Sequence, residues 1–218
     1  MAVDFRLYLI TDRKQTRHPL PEAVRMALQG GVRAVQLREK DLPVRDFLAL
    51  ARDIRKITNE FDARLFINDR VDVAVAIDAD GVHLGHQRMP PGAVRKVVGA
   101  RMLIGVSTHS LEEARAAEAG GADLITFGPV FATASKLQYG RPVGIDALKK
   151  TAQEVAVPVF GLGGIKRENI HEVMSAGADG IAMISAVFAA DDIQRASQDV
   201  LGLLESVRAS QEHLRGGS

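Results

Sequence analysis

Four segments of this chain repeat one pattern: a glycine or aspartate, then small or charged residues, then a short apolar run. They are Gly31-Val32-Arg33-Ala34-Val35-Gln36-Leu37, Asp78-Ala79-Asp80-Gly81-Val82-His83-Leu84, Gly121-Ala122-Asp123-Leu124-Ile125-Thr126-Phe127 and Gly177-Ala178-Asp179-Gly180-Ile181-Ala182-Met183. Helices commonly end on a residue in the left-handed region, which glycine adopts without steric cost. Each copy therefore reads as a helix end, a tight turn and a strand.

Further strand patterns fall between the copies, at residues 7–11, 65–68, 103–107 and 159–162, which makes eight short strands. Amphipathic helices separate them. Over 44–57, Phe47, Leu48, Leu50, Ala51, Ile54 and Ile57 face one way, and Arg45, Asp46, Arg52, Asp53, Arg55 and Lys56 the other. Residues 111–119 and 169–176 read similarly. Strict strand–helix alternation predicts parallel strands with helical crossovers, and eight such units predict an α/β fold of the (β/α)₈ TIM-barrel type. An open doubly wound sheet is the alternative, but no Gly-x-Gly-x-x-Gly follows the first strand. No linker divides the chain, so residues 1–207 read as a single domain and 208–218 as a polar, frayed tail.

Charge narrows the partners. The 218 residues carry a net charge of +1, which gives no bulk attraction to nucleic acid or membrane. Any anion site must be local. The chain has no cysteine, so disulfide and thiol chemistry are excluded. Neither a cationic segment leading an apolar signal core nor a run of about 18 apolar residues is present, and a cytoplasmic location is expected.

In a barrel, chemistry sits where strands end at their C-terminal side. The second strand ends Gln36-Leu37-Arg38-Glu39-Lys40. Period-two alternation puts Gln36, Arg38 and Lys40 on one face. Two cations and an amide suit an anion site, or a strand end running into solvent. Gly163-Gly164 and Ile184-Ser185 follow the seventh and eighth strands, the recurrent phosphate position of this fold; two ordinary turns are the alternative. Thr133-Ala134-Ser135-Lys136 offers two hydroxyls and an ammonium for a second phosphate, or a solvated loop. Asp69 is either a ligand for a hard cation or a helix N-cap. His83 reads as a strand residue satisfied in the core. His86 and His109 fall at strand ends, and His18, His171 and His213 at surface positions. No histidine–carboxylate cluster has zinc-site spacing.

Eight segments in order resemble thiamine phosphate synthases over almost the whole chain, from about residue 7 to 190. They are the run from Gln36 to Lys40, Ile67-Asn68-Asp69-Arg70, Asp80 to Gly85, Gly105-Val106-Ser107-Thr108-His109, Gly128-Pro129-Val130-Phe131, Thr133 to Lys136, Gly161 to Ile165, and Met183-Ile184-Ser185-Ala186. The resemblance implies that a hydroxymethylpyrimidine diphosphate loses pyrophosphate as the nitrogen of a thiazole phosphate attacks its methylene carbon. It implies that Gln36, Arg38, Lys40, Asn68, Ser107 and Lys136 hold the pyrimidine diphosphate, with Leu37 and Glu39 in the same binding run. Arg38, Lys40, Ser107 and Lys136 would act on the reacting groups. Thr133, Ser135, Gly164, Ile184 and Ser185 would hold the thiazole phosphate, and Asp69 one Mg²⁺. The expected partners are these phosphorylated small molecules, with homo-oligomerisation left open.

The sequence departs from the family where a second magnesium aspartate is expected. Arg88 stands there, and His86 stands where a glutamine is usual. The resemblance therefore implies a weaker magnesium site, with Arg88 supplying part of the missing charge. A related thiazole tautomerase on the same barrel uses a histidine where this chain has Pro129, which argues against that activity, while His86 offers a base from another strand and keeps it as the alternative. A barrel that only binds a phosphorylated ligand would not require Lys136, Asn68 and Asp69 together.

Overall fold

A computed structural model describes residues 2–85, 88–133 and 141–216, with side chains to 209. Eight parallel strands close into a barrel in sequence order: β1 Leu7–Ile10, β2 Ala34–Leu37, β3 Arg64–Asn68, β4 Gly81–Leu84, β5 Leu103–Thr108, β6 Leu124–Phe127, β7 Val159–Leu162 and β8 Gly180–Met183. Between them run α1 Leu20–Gln29, α2 Val44–Glu60, α3 Val71–Ala76, α4 Pro91–Val98, α5 Leu111–Ala119, α6 Gly144–Glu154 and α7 Ile170–Ser175, followed by α8 Ser185–Phe188 and α9 Ile193–Gly216. The (β/α)₈ expectation holds, and β1 pairs with both β2 and β8. The last helix continues through the polar segment expected to fray. Ala209, Gln211, Glu212 and Leu214 are good helix formers and no proline interrupts them.

Each repeat behaves as its pattern requires. Gly31, Gly121 and Gly177 have φ of 101°, 87° and 96°, and Asp78 fills the same position in the second copy at φ 52°. The acidic residue before the strand has a second task. Asp80 accepts the Leu65 N–H at 2.8 Å, Asp123 the Ile104 N–H at 2.6 Å and Asp179 the Val159 N–H at 2.8 Å. The carboxylates at the starts of β4, β6 and β8 thus satisfy strand donors on β3, β5 and β7, at the end of the barrel where the chain enters. Arg55 and Arg95 pair with Asp80 and Asp123 at 2.5 Å. A polar cavity of about 530 Å³ at this end is lined by Arg55 and Asp80 together with Asp4, Arg33 and Arg64. Its Arg64–Asp4 and Arg55–Asp80 pairs leave little free charge for a ligand.

Alternation divides each strand between two cores. Leu7, Leu9, Val35, Leu37, Leu65 and Ile67 face the helices, while Tyr8, Ile10, Ala34, Phe66, Leu103, Leu124, Phe160 and Ala182 fill the barrel. The aromatic rings need room. A Cβ on Gly81 would lie 2.3 Å from the Phe66 ring, and one on Gly105 2.5 Å from His83 Nδ1. These glycines are set by volume, because overpacking a close-packed core costs about 1–3 kcal/mol.

Asp123→Ala should lower unfolding free energy by about 1–2 kcal/mol, since it strands the Ile104 N–H. Urea denaturation reads the loss, and activity per folded molecule should not change.

Candidate active site

Above the aromatic layer the inward positions turn polar. Gln36, Asn68, His83, Ser107 and Thr126 come from five successive strands and follow Ala34, Phe66, Gly81, Gly105 and Leu124 by two residues. All five ring the C-terminal end of the barrel. The Gln36 carboxamide donates to the Tyr8 hydroxyl at 3.3 Å, which lies 3.4 Å from His83 Nδ1. On the far side of the ring, His83 Nε2 lies 3.0 Å from Ser107 Oγ and 3.4 Å from Thr126 Oγ1. His83 is a satisfied core residue, as its strand position suggests. Burial, with a contribution from Arg38, lowers its pKa from 6.5 to about 3.

The strand ends with Leu37, so Arg38 and Lys40 sit in the loop beyond it and only Gln36 projects from the sheet. The loop is held by Glu39. Its carboxylate is buried, accepts the Thr11 hydroxyl at 2.7 Å and the Arg13 N–H at 3.1 Å, and pairs with the Arg13 guanidinium at 3.0 Å. Thr11 in turn accepts the Arg38 N–H at 2.9 Å. The side chain of Glu39 is therefore an anchor rather than a substrate contact. That of Leu37 is packed toward the helices, so it does not reach a ligand in the mouth either. Alternation and a buried partner direct these two side chains away from the mouth.

Arg38 and Lys40 have no carboxylate within ion-pair distance among the described residues. Desolvation and the charge of Arg38 hold the Lys40 ammonium below the usual lysine range; Asp69 opposes this and Arg88 reinforces it. These four groups thus share one electrostatic environment on the β2, β3 and β4 side of the mouth.

Asp69 is not a helix N-cap. That position belongs to Arg70, and no side chain caps α3. Asp69 instead takes a φ of 58°. Its Oδ1 accepts the Gly85 N–H at 2.7 Å, and its Oδ2 accepts from Asn68 Nδ2 at 3.0 Å and lies 3.3 Å from Arg88 Nε. The Arg88 side chain is 56% exposed, so the ion pair contributes about 0–1 kcal/mol and yields easily to a stronger anion. Among the described residues no three His, Cys, Asp or Glu side chains gather as a metal site. Beside Arg88, a cavity of about 270 Å³ is lined by Gly85, Met89, Ser107 and Glu113.

On the opposite side, Gly163 and Gly164 have φ of 96° and 65°. A Cβ on either would come within 2.7 Å of Pro129 or Phe131. The Phe131 N–H donates to Gly163 O at 3.0 Å, and Asn169 Nδ2 to Gly164 O at 3.0 Å. This double glycine is a close approach of two loops, not an ordinary turn. Ser185 opens the short α8 beside it, after Ile184, which packs against the interior cluster. Thr133 is the last described residue of the β6 loop; Ser135 and Lys136 lie outside the described residues, as does His86. His109 pairs with Glu113 at 3.1 Å at the start of α5.

Tyr8, Thr11, Arg13 and Thr126 have no part in the expected site, yet each contacts a residue that does. Period two along β1 was the available signal for Tyr8, because a tyrosine facing a barrel interior must find a partner for its hydroxyl.

A family model described as thiamine monophosphate synthase matches residues 7–187. A putative thiamine-phosphate synthase of Geobacter sulfurreducens is 56% identical over 93% of this chain and 95% of its own length. The thiamine-phosphate synthase of Pyrococcus furiosus is 44% identical over 93% and 96%. A solved thiamine phosphate pyrophosphorylase from Pyrococcus furiosus superposes with a TM-score of 0.86 at 42% identity, covering 93% of this chain and 96% of that one.

The depressed His83 pKa has a consequence for stability. Below its unfolded value near 6.5 the unfolded chain takes up a proton that the folded chain refuses. Stability conferred by neutral burial is therefore complete above that pH and is lost as pH falls toward about 3. Unfolding free energy measured from pH 7 to pH 4 should fall with a slope of up to about 1.4 kcal/mol per unit from this group, and His83→Asn should flatten that slope.

Proposed function

The chain belongs to the thiamine monophosphate synthase family, and on that footing we propose how its barrel mouth carries out the family's condensation. The activity is that of a thiamine-phosphate synthase, a transferase of thiamine biosynthesis. The bond from the pyrimidine methylene to the diphosphate oxygen breaks, and its electron pair leaves with pyrophosphate. The thiazole nitrogen lone pair forms the new carbon–nitrogen bond. The observation carrying the assignment of roles is the cluster of Arg38, Lys40 and Arg88 around Asp69, with no carboxylate among the described residues pairing Arg38 or Lys40.

Negative charge grows on the leaving oxygens as the bond breaks, so preorganised cations there lower the barrier. Arg38 offers a planar fork suited to phosphate oxygens, and Lys40 a compact ammonium. Lys136 would add a further cation from the β6 loop. Gln36 and Ser107 seat the pyrimidine inside the ring, and Asn68 reaches the diphosphate beside Asp69. Ser185 and the backbone of Gly164 and Ile184 receive the thiazole phosphate, with the hydroxyls of Thr133 and Ser135 as its further expected donors. The two substrates then meet across the mouth. No acid–base pair is demanded, because the leaving group departs as an anion and the attacking nitrogen carries no proton to lose.

Asp69 fits one Mg²⁺. Its oxygens are oriented by Gly85 and Asn68, Oδ1 keeps a lone pair beyond the Gly85 N–H, and the remaining ligands would be diphosphate oxygens and water. When bound, the ion would supply Lewis-acid charge to the diphosphate. Arg88 stands within ion-pair distance of the same carboxylate, so it competes for Asp69 while offering its own charge to the ligand.

Purified protein incubated with both phosphorylated substrates and magnesium should yield thiamine phosphate and pyrophosphate; conversion of the thiazole tautomer alone would select a different reading. Lys40→Ala should lower kcat by about 10²–10³-fold with the fold intact. Arg88→Asp adds a carboxylate for the ion, and should lower the magnesium concentration giving half-maximal rate by about tenfold. Identical magnesium curves for wild type and Arg88→Asp would end the idea that Arg88 stands in for metal charge.

A further inference from the structure

The buried link between Gln36 and Ser107 fixes more than position. Tyr8 and His83 are 0% and 1% exposed, and Gln36 is 1% exposed. Protons inside this link need acceptors that the barrel itself supplies. The Gln36 N–H donates to Tyr8 Oη. The Tyr8 proton has His83 Nδ1 as its remaining partner. With Nδ1 accepting that proton, the buried His83 ring carries its own proton on Nε2, 3.0 Å from Ser107 Oγ, and donates it there. Thr126 Oγ1 also donates to Ser107 Oγ, at 3.5 Å. Ser107 Oγ thereby accepts from the link, which leaves its own proton to be turned outward. At the other end, the Gln36 carboxamide oxygen has no protein partner among the described residues. The seat therefore presents one acceptor, Gln36 Oε1, and one donor, Ser107 O–H.

We propose that Tyr8 and His83 are positioning residues that set this donor–acceptor polarity, so that the barrel selects an amino-substituted ring over its oxo counterpart. An aminopyrimidine offers an N–H donor for Gln36 and an unprotonated ring nitrogen for Ser107. A 4-oxopyrimidine offers a carbonyl oxygen to the carboxamide oxygen and a protonated ring nitrogen, which the ring of hydrogen bonds mismatches. A site built around specific hydrogen bonds rejects such an analogue strongly, because the mismatch leaves buried polar groups unpaired. Gly105 belongs to the same device, since a Cβ there would displace His83. This proposal rests on the condensation reading above and goes beyond it in naming what sets ring specificity.

The experiment compares kcat/KM for 4-amino-2-methyl-5-hydroxymethylpyrimidine diphosphate and its 4-oxo analogue, each with thiazole phosphate, in wild type and Tyr8→Phe. Wild type should favour the amino ring by about 10³-fold or more. Tyr8→Phe should shrink that preference by about tenfold or more, raising KM for the amino substrate while kcat and inhibition by inorganic pyrophosphate stay near wild type. If Tyr8→Phe does not fold, His83→Asn reads the same link from its other end. A variant that slows both substrates equally, or keeps the wild-type ratio and KM, overturns the positioning role while leaving the condensation intact. A wild type with no preference overturns it as well. A wild type that converts neither substrate overturns the condensation reading and this proposal together.

Discussion

An aspartate placed one residue before a strand lends its carboxylate to the backbone N–H of the strand beside it. That interaction recurs at Asp80, Asp123 and Asp179, and it registers β3 with β4, β5 with β6 and β7 with β8 where the strands begin. Register matters more here than in most sheets. A slip of one residue would turn Val35, Leu65 and Ile67 into the barrel and expel Gln36, Phe66 and Asn68. The polar ring at the mouth exists because the opposite end is locked.

Charge is divided between the two ends in a way that follows from this. At the entry end, arginines and aspartates pair among themselves and hold the barrel together. At the mouth, two carboxylates act as organisers of cations. Glu39 is buried and ties the β2 loop to Thr11 and Arg13, and Asp69 is held by backbone and amide donors at a positive φ. Arg38 and Lys40 have no carboxylate within ion-pair distance among the described residues. Desolvation together with repulsion from Arg38 lowers the Lys40 pKa. On the proposed reading, a diphosphate bound between these two cations would relieve that repulsion.

The fold was legible because its signals are local and repeated. Glycine or aspartate at helix ends, apolar strands and amphipathic helices each depend on a few neighbouring residues, and eight units in series leave few architectures. The strand-end motifs were legible for a similar reason: Gln36, Asn68 and Ser107 do reach one mouth. What escaped the sequence are interactions across strands. Nothing local distinguishes Glu39, whose carboxylate turns back toward β1, from a ligand-facing acid. Tyr8 reads as an ordinary strand aromatic until β4 and His83 are brought beside it. The task of Asp80, Asp123 and Asp179 needs the neighbouring strand to be seen at all. Even the shared face assigned to Gln36, Arg38 and Lys40 proved to be one inward strand position and two loop positions, because the strand stops at Leu37.

The central claim is that Arg38 and Lys40 form a cradle for the departing diphosphate, one that does not depend on metal for its initial grip. Calorimetric titration of inorganic pyrophosphate into the metal-free protein tests it most directly. The account expects saturable binding that weakens with added salt and is lost in Arg38→Gln with the fold unchanged. Pyrophosphate that fails to bind wild type without metal, or that binds Arg38→Gln equally well, would contradict it.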